Sequence, residues 1–243
     1  MGLRWHVIES GLLSSEAVMA KDADLLKELN CQGSAILHLY DWNEPCLTYG
    51  YFTDPTRYLY LDALSELGIQ HARRPTGGGI IFHLTDVAFS ILLPSFYPGV
   101  SVNTFDNYAL VNRIVAQAIA DFAPAPILPY LLDEVTAGQS KGYEGFCMAK
   151  PTQYDIMMNQ GKVGGAAQRR TKNGLLHQAS VSLLPPCREI LEKVLIDHES
   201  VLQEMDGHSH YLGFERADPL NLVEARRGFK ECLRGCLTRT IAK

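Results

Sequence analysis

The sequence predicts an α+β fold with a mixed, largely antiparallel sheet flanked by helices. Two strand candidates, 154-YDIMM-158 and 162-KVGGAAQ-168, are separated by the turn-forming segment NQG at 159–161. The segment TKNG at 171–174 separates the second from a third strand candidate, 176-LHQASVSLL-184. Short turns of this kind join antiparallel neighbours. Amphipathic helical segments interleave with strands elsewhere, so helices are expected to cover the sheet.

The first half of the chain alternates between strand and helix patterns. A segment with polar and apolar residues at helical spacing begins at Ser14. Serine can cap the free amides of a first helical turn, so a helix is predicted to begin there. A later helix ends before Gly68, a suitable residue just past a helix C-terminus. We predict strands at 34–42, 46–52 and 87–94 and helices at 14–30, 60–67 and 104–122, followed by a mostly helical last third.

Composition excludes several classes of protein. The 243 residues carry a formal net charge of −5, which gives no general electrostatic attraction to nucleic acid. No apolar run reaches the roughly 20 residues that span a bilayer, and the N-terminus lacks the apolar core of a signal peptide. We therefore expect one cytoplasmic domain over residues 1–243, with neither nucleic acid nor membrane as a partner.

The cysteines do not indicate a disulfide framework or a zinc site. Four of the six are scattered, and only Cys232 and Cys236 have a spacing that would let them share one helical face. They continue an apolar stripe formed by Leu222, Ala225 and Phe229. Core packing is therefore favoured over metal binding for this pair.

The segment 73-RRPTGGGIIFH-83 is the first candidate for a binding site. Ordered glycine costs backbone entropy, so three in succession indicate an unusual bend or a close approach to a ligand. Backbone amides of glycine-rich loops often contact phosphates. The segment lacks the Lys-Ser/Thr of a Walker loop and the third glycine of a dinucleotide fingerprint. A strand–turn–strand with exposed arginines would explain the same residues without a ligand.

The second candidate site is the strand that begins at Lys162. Its neighbours from Gly164 to Ala167 are all small, so they would clear space for a ligand beside one long cationic side chain. A lysine in that setting suits a carbonyl or phosphate oxygen. The alternative is a solvated lysine at the end of a strand. It is disfavoured because the chain contains two patches of small residues and each of them carries a cationic side chain.

Both segments resemble the motifs of the lipoate–protein ligase family, which also contains octanoyltransferases and, more distantly, biotin–protein ligases. RRPTGGGIIFH resembles the family's RRxS/TGGGxxxH signature, and GKVGGAAQRR followed by LHQASVSL is similar to its lysine-bearing strands. Trp42, Pro45 and YGYF at 49–52 resemble the strand that precedes the signature. The resemblance implies a catalytic domain of the biotin/lipoate ligase type. Its expected activity is attachment of lipoate or octanoate to one lysine of a lipoyl carrier domain, an E2 subunit or the glycine-cleavage H protein.

The resemblance also implies roles for particular residues. A ligase would first form an acyl-adenylate from ATP with Mg²⁺, and Lys162 would hold the carbonyl and phosphate oxygens. Asp155 would approach the Mg²⁺. The expected substrate- and ATP-binding residues come from both segments: Arg73, Arg74, Thr76, Gly77, Gly78, Gly79, His83, Gly165, Ala167 and His177.

Two alternatives to an ATP-dependent ligase remain open. Cys147, in 145-GFCMAKPTQYD-155, lies where the cysteine-using octanoyltransferases of the superfamily carry their nucleophile, and such an enzyme needs no ATP. Thr53, Leu84 and Tyr154 depart from the family pattern, so an acyl or carrier binder without activity is the second alternative. No full C-terminal accessory domain is expected after Pro186, and a separate accessory protein could replace it. The charges Arg169, Arg170 and Lys172 are expected to form a solvated hairpin tip, with carrier docking as their functional alternative.

Overall fold

A computed structural model describes residues 5–123, 128–133, 145–146, 151–215 and 221–241. The described chain contains ten strands and six α-helices, with short 3-10 turns at Pro55–Arg57 and Leu212–Glu215. The strands are β1 (Trp5–Leu13), β2 (Ala35–Trp42), β3 (Cys46–Tyr49), β4 (Gln70–Arg73), β5 (Ile80–His83), β6 (Asp86–Pro94), β7 (Tyr130–Leu131), β8 (Ile156–Met158), β9 (Gly161–Thr171) and β10 (Gly174–Ser182). The helices are α1 (Ser15–Gln32), α2 (Leu61–Glu66), α3 (Thr104–Phe122), α4 (Arg188–Val194), α5 (His198–His208) and α6 (Leu222–Ile241).

Seven strands form the large sheet, in the order β1-β2-β6-β10-β9-β8-β7. Strands β1 and β2 run parallel, and the other neighbours in this sheet run antiparallel. The turn between β8 and β9 places Asn159 and Gln160 at φ 49° and 65°, which is the geometry that a two-residue hairpin requires. The predicted mixed, largely antiparallel sheet and both predicted hairpins are therefore confirmed.

The two faces of the large sheet have different environments. Apolar side chains alternate along β6, so that Val87, Phe89 and Ile91 pack with α3 and α6 in the main core. The opposite face carries Leu92 against α1 and Ala88 in a smaller cluster. That second face also contains several buried polar side chains, and it is the face on which the candidate site lies.

A separate three-stranded sheet, in the order β4-β3-β5, lies on the α1 side. Strand β3 pairs in parallel with β4 and antiparallel with β5, so both strands that flank the three glycines are joined through it. Helices α2, α4 and α5 share a hydrophobic cluster with this sheet, which includes Leu47, Leu64, Ile80 and Leu202.

Most of the predicted elements are confirmed within about two residues. Helix α1 begins after Ser14, whose hydroxyl accepts a hydrogen bond from the Ala17 amide at 3.2 Å. The predicted 104–122 helix is α3, and the apolar stripe of α6 packs into the main core through Phe229 and Cys236. Strand β1 was not predicted, and neither was the division into two sheets. Among the described helices, none has both the length and the apolar composition needed to cross a membrane.

Candidate active site

Residues 76–79 form a tight connection between β4 and β5, which we call the glycine turn. Gly78 has φ 86°, a left-handed conformation that glycine adopts without steric cost. A side chain on Gly50 would overlap the backbone of Gly77 and Gly78, and one on Gly79 would overlap the carbonyl of Gly145. Backbone therefore packs directly on backbone on both sides of the turn, which explains why glycines are needed there.

Arg74 holds the glycine turn from beneath. The side chain is 3% exposed, and its Nη2 donates hydrogen bonds to the carbonyl oxygens of Gly77 at 3.0 Å and Gly79 at 2.7 Å. Its Nη1 donates to the carbonyl and the hydroxyl of Thr48 in β3 at 3.0 and 2.9 Å. Through these contacts, Arg74 braces the loop against β3.

His83 belongs to a buried polar chain next to the turn. Its Nδ1 lies 2.7 Å from Asp86 Oδ2, and its Nε2 lies 2.8 Å from the Thr48 hydroxyl. Ser180 of β10 donates to the same Asp86 oxygen at 2.5 Å. Burial alone would raise the pKa of Asp86, but the charge and hydrogen bond of His83, the Ser180 hydroxyl and the charge of Arg226 together lower it.

Asp86, the first residue of β6, supplies the carboxylate that pairs with His83, although Leu84 follows the histidine directly. The sequence interpretation missed Asp86. An acidic residue three positions after His83, across a short turn, was the signal that could have identified it.

A second buried network ties the glycine turn to α1. The Thr76 hydroxyl donates to Gln178 Oε1 at 2.7 Å, and Gln178 Nε2 donates to Asp22 Oδ2 at 2.7 Å. Asp22 also lies 2.7 Å from His38 Nδ1 and accepts from the Ser90 hydroxyl at 2.6 Å. Satisfied buried networks of this kind restrict a site to one geometry.

Lys162 is 3% exposed and pairs with Asp155, with 2.7 Å between Nζ and Oδ2. The same carboxylate oxygen accepts hydrogen bonds from the Thr152 amide at 2.7 Å and hydroxyl at 2.9 Å. A Cβ on Gly165 would lie 2.6 Å from Lys162 Cε and 2.9 Å from Nζ. The space at Gly165, which the sequence interpretation reserved for a ligand, is therefore filled by the lysine side chain itself.

The lysine and the glycine turn approach the same part of the molecule. Gly165, on which the lysine packs, is paired across the ladder with Ser180, and directly paired residues have Cα atoms about 4.5–5.5 Å apart. Ser180 is also bonded to Asp86 in the His83 chain. The structure thus brings together the two segments that the sequence analysis singled out.

Of the predicted site residues, His177 faces away from the turn and Arg73 points outward, whereas Ala167 shares the face of Gln178. His177 pairs with Gln168 on the α3 face of the large sheet, where its ring is 6.0 Å from Tyr108. Burial lowers the pKa of His177 to about 3. Gln178, one position along β10, is the residue that reaches the glycine turn instead, and a polar side chain amid apolar neighbours was its signal. Arg73 points outward over the Tyr51 ring. Ala167 is buried opposite Gln178 in the ladder.

Two adjoining chambers lie between the small sheet and the large one. The first chamber has a cavity volume of about 20 Å³, and the second has one of about 30 Å³. Ile81 and Ser180 line both. The first chamber is lined by Met19, Tyr40, Trp42, Arg74, His83 and Ala88, among others. The second is lined by Ile80, Phe82, Phe146, Leu184, Met205 and Tyr211, among others.

Comparison with known proteins places this geometry in a family. The sequence profile of the lipoyl protein ligase A/B catalytic domain matches residues 15–205. The chain belongs to this family. The match covers the small sheet, the glycine turn, Lys162, the first chamber and most of the second chamber's wall.

Curated relatives of this lipoyl protein ligase A/B family member include two octanoyltransferases named LipM. The protein of Lysinibacillus sphaericus is 25% identical over 182 residues, covering 74% of this chain and 66% of that protein. The protein of Anoxybacillus flavithermus is 28% identical over 186 residues, covering 74% and 65% respectively. The chain thus spans slightly less than two thirds of the length of these relatives. Their names favour the octanoyltransferase alternative over the ligase that the sequence interpretation preferred.

Solved structures confirm the predicted fold of the family. A lipoate-protein ligase A crystal structure with bound ATP superimposes with a TM-score of 0.69 at 20% identity, covering 98% of this chain and 86% of that one. The bipartite lipoate protein ligase of Thermoplasma acidophilum, studied with its E2 lipoyl domain, gives 0.64 at 18% identity, covering 98% and 84%. At these identities the likeness concerns the fold alone.

Asp155, the residue predicted to approach Mg²⁺, is engaged in hydrogen bonds in this structure. One of its oxygens accepts three hydrogen bonds, including that of the Lys162 ammonium. In the part of the chain that the structure describes, no three His, Cys, Asp or Glu side chains are grouped as metal ligands. Cys147, the predicted nucleophile, lies outside the described residues, but Phe146 immediately before it lines the second chamber.

Proposed function

We propose that this protein is an ATP-independent acyltransferase of protein lipoylation, acting in the cytoplasm. It would move an octanoyl group from a thioester donor to one lysine of a lipoyl carrier domain, through a thioester on Cys147. The names of the curated relatives support octanoyl transfer. The observation that carries the proposal is the packing of Gly145 and Phe146 against the glycine turn.

That contact is made by backbone and side chain together. The Ile80 amide donates to the Gly145 carbonyl at 2.6 Å, and the Phe146 ring stacks with that of Phe82 at 6.4 Å between centroids. Cys147 is the next residue in the chain, and consecutive Cα atoms are about 3.8 Å apart. The described part of the segment that leads to Cys147 thus contributes Phe146 to the wall of the second chamber.

The chamber walls combine apolar side chains with a few polar groups, and these side chains would move apart to admit an unbranched acyl chain. Met19, Tyr40 and Trp42 provide apolar surface in the first chamber, and Arg74 and His83 provide polar atoms near the turn. Ligand sites commonly have this composition. The Trp42 ring lies 4.6 Å from that of His83, so an aromatic wall adjoins the polar end.

The chemistry divides into two acyl transfers. The Cys147 thiolate attacks the carbonyl carbon of the donor thioester, and the donor thiolate leaves as the new thioester forms. The neutral amine of the carrier lysine then attacks that thioester, the Cys147 thiolate leaves, and the amide forms as the amine proton passes to the departing thiolate. The Lys162 ammonium would neutralise the oxyanion that develops in both steps. A buried cation in that role needs no reorganisation of solvent.

Glycine at position 79 is explained by packing and is not evidence for a ligase. In the structure, a side chain at Gly79 would overlap the Gly145 carbonyl. The contact with residue 145 is therefore a sufficient reason for glycine at this position.

Mass measurement of the product separates the proposal from its two alternatives. Purified protein is incubated with an apo lipoyl domain and one of three acyl sources. These are octanoyl carrier protein without ATP, octanoate with MgATP, and lipoate with MgATP. We expect modification from the carrier thioester alone, loss of that activity in Cys147→Ala, and retention in the matched control Cys187→Ala, whose cysteine is exposed. Product formed only with MgATP, and unaffected by Cys147→Ala, would establish a ligase. Binding without product under every condition would establish an inactive binder.

A further inference from the structure

An exposed aromatic and cationic cluster lies on the outer side of the glycine turn. We call its four residues, Tyr51, Phe52, Arg73 and Arg169, the rim patch. The Arg73 guanidinium lies 4.8 Å from the centre of the Tyr51 ring, and that of Arg169 lies 5.9 Å from it. The Tyr51 and Phe52 rings are 5.1 Å apart in an edge contact. Phe52 is 92% exposed.

The rim patch is attached to the turn through backbone contacts. The Tyr51 amide donates to the Thr76 carbonyl at 2.8 Å, and Arg169 Nη1 donates to the Pro75 carbonyl at 3.4 Å. Residue 53 continues the same loop, and its hydroxyl donates to the Gly78 carbonyl at 2.9 Å. A partner that contacts the patch would therefore meet the turn next to the chambers.

The charge of the rim patch opposes that of the whole chain. The protein carries a formal net charge of −5, yet the open groove beside the patch is lined by Arg73, Arg74 and Arg169 and by one acidic residue, Glu16. A local excess of positive charge steers acidic partners and fixes their orientation. The exposed Phe52 ring adds the kind of aromatic contact that is enriched at protein interfaces.

The hairpin tip that the sequence analysis treated as one cluster is divided between two surfaces. Arg169 pairs with Leu176, which faces α1, so its side chain lies on the side of the glycine turn. Arg170 pairs with Leu175, which faces α3, and its Nη1 donates to the Ser101 carbonyl at 3.2 Å. Adjacent arginines therefore provide a test residue and a matched control.

We infer that the rim patch is the docking surface for the acceptor, a lipoyl carrier domain whose surface around the target lysine is acidic. The inference rests on the proposed function, because it names the partner of the same site. The two guanidinium groups would pair with carboxylates that flank the target lysine, and Phe52 would pack against the apolar part of the carrier surface. The lysine between those carboxylates would then be presented to the glycine turn and the second chamber.

Binding in the absence of any acyl donor tests the surface without relying on turnover. The probe is an apo E2 lipoyl domain, and its dissociation constant is measured by calorimetry or interferometry between about 20 and about 300 mM salt, a range over which charge screening changes strongly. We expect the double variant Arg73→Glu/Arg169→Glu to bind roughly tenfold more weakly at the lowest salt and to lose most of the salt dependence. Arg170→Glu should stay within about twofold of the unmodified protein. A lipoyl domain with two acidic residues changed to lysine should recover binding to the double variant.

The outcomes separate this inference from the proposed function. If the unmodified protein transfers octanoate but the double variant binds like Arg170→Glu, the docking surface is wrong and the function stands. If binding depends on the rim patch but no transfer occurs, the proposed function is wrong and the surface stands. Undetectable binding by the folded, unmodified protein at the lowest salt also overturns the docking surface. Circular dichroism and the thermal midpoint verify that each variant is folded.

Discussion

Replacement of Gly165 with alanine tests the position of the Lys162 ammonium directly. The added methyl group would lie 2.6 Å from Lys162 Cε, 2.9 Å from Nζ and 3.3 Å from Asp155 Oδ1. These atoms belong to flexible side chains, so the backbone can stay while the lysine moves away. The neighbouring Gly164 is a matched control, because a Cβ there would have its closest contacts at 3.4 Å, an ordinary van der Waals distance.

The expected changes follow from two opposed effects. Gly→Ala at a compatible position stabilises a protein by about 0.4–1 kcal/mol through the unfolded state, and Gly164→Ala should show this gain. Breaking a buried ion pair costs up to about 3–5 kcal/mol, so Gly165→Ala should lower the free energy of unfolding by roughly 2–4 kcal/mol. Loss of a positioned oxyanion donor lowers kcat by about 10²–10³. Gly165→Ala should therefore be folded, less stable and nearly inactive.

Urea denaturation and octanoyl transfer to an apo lipoyl domain measure the two quantities on the same preparations. We expect Gly164→Ala to retain the activity of the unmodified protein with a slightly higher urea midpoint. Equal activity and equal stability of the two alanine variants would refute the reasoning, because Lys162 would then not occupy the space at Gly165. A stable but inactive Gly165→Ala would show that the lysine can move at little cost in stability and that its position matters for the reaction.

Three further predictions concern buried polar groups of β6 and β10. Asp86→Asn should lower the free energy of unfolding by about 1.5–3 kcal/mol at pH 7, since His83 loses a charged partner. Because the folded pKa of Asp86 is lowered, this difference should shrink in urea titrations as the pH falls below about 4 and the carboxyl protonates. Burial lowers the pKa of His177 to about 3, so below about pH 6.5 the unfolded chain binds a proton that the folded protein does not, and stability falls with pH. His177→Gln should therefore flatten the pH dependence of stability between about pH 6 and 4. Gln178→Leu leaves the Thr76 hydroxyl and the Asp22 carboxylate each one hydrogen bond short and should cost about 1–3 kcal/mol in urea midpoints, whereas a loss below about 0.5 kcal/mol would mean that water replaces both bonds.

Elements with signals at both ends were predictable from the sequence. Helix α3 has a capping residue, Asn103, whose side chain accepts from the Phe105 amide, and a proline-rich segment follows it. The hairpins of β8, β9 and β10 have turn residues at the positions where their strands end. Strand β1 was missed because its apolar residues do not alternate strictly, and it contains a register shift between Glu9 and Leu12 with Gly11 at φ 65°. Bulges of this kind hide the period of a strand.

The candidate site was predictable only in part, because half of it depends on contacts between distant segments. Lys162, Arg74 and His83 carry the motif resemblance and lie at or beside the turn and the chambers. Their partners are set by strand pairing: Ser180 reaches Asp86 across 94 positions of sequence. Neither periodicity nor spacing within one segment contains that information. The assignment of His177 failed by one position, since adjacent residues of a strand face opposite sides of the sheet.

The arrangement of these partners argues that the site is formed before substrate binds. The glycine turn is tied to β3 through Arg74, to β10 and α1 through Thr76, and to residue 145 through Ile80. A loop restrained at three points does not need to be ordered by a ligand, so binding energy is not spent on ordering it. The exposed Phe52 lies on the outer side of this turn, and the chambers lie on its inner side. A carrier that docks outside would meet an acyl group whose surroundings are already arranged for attack.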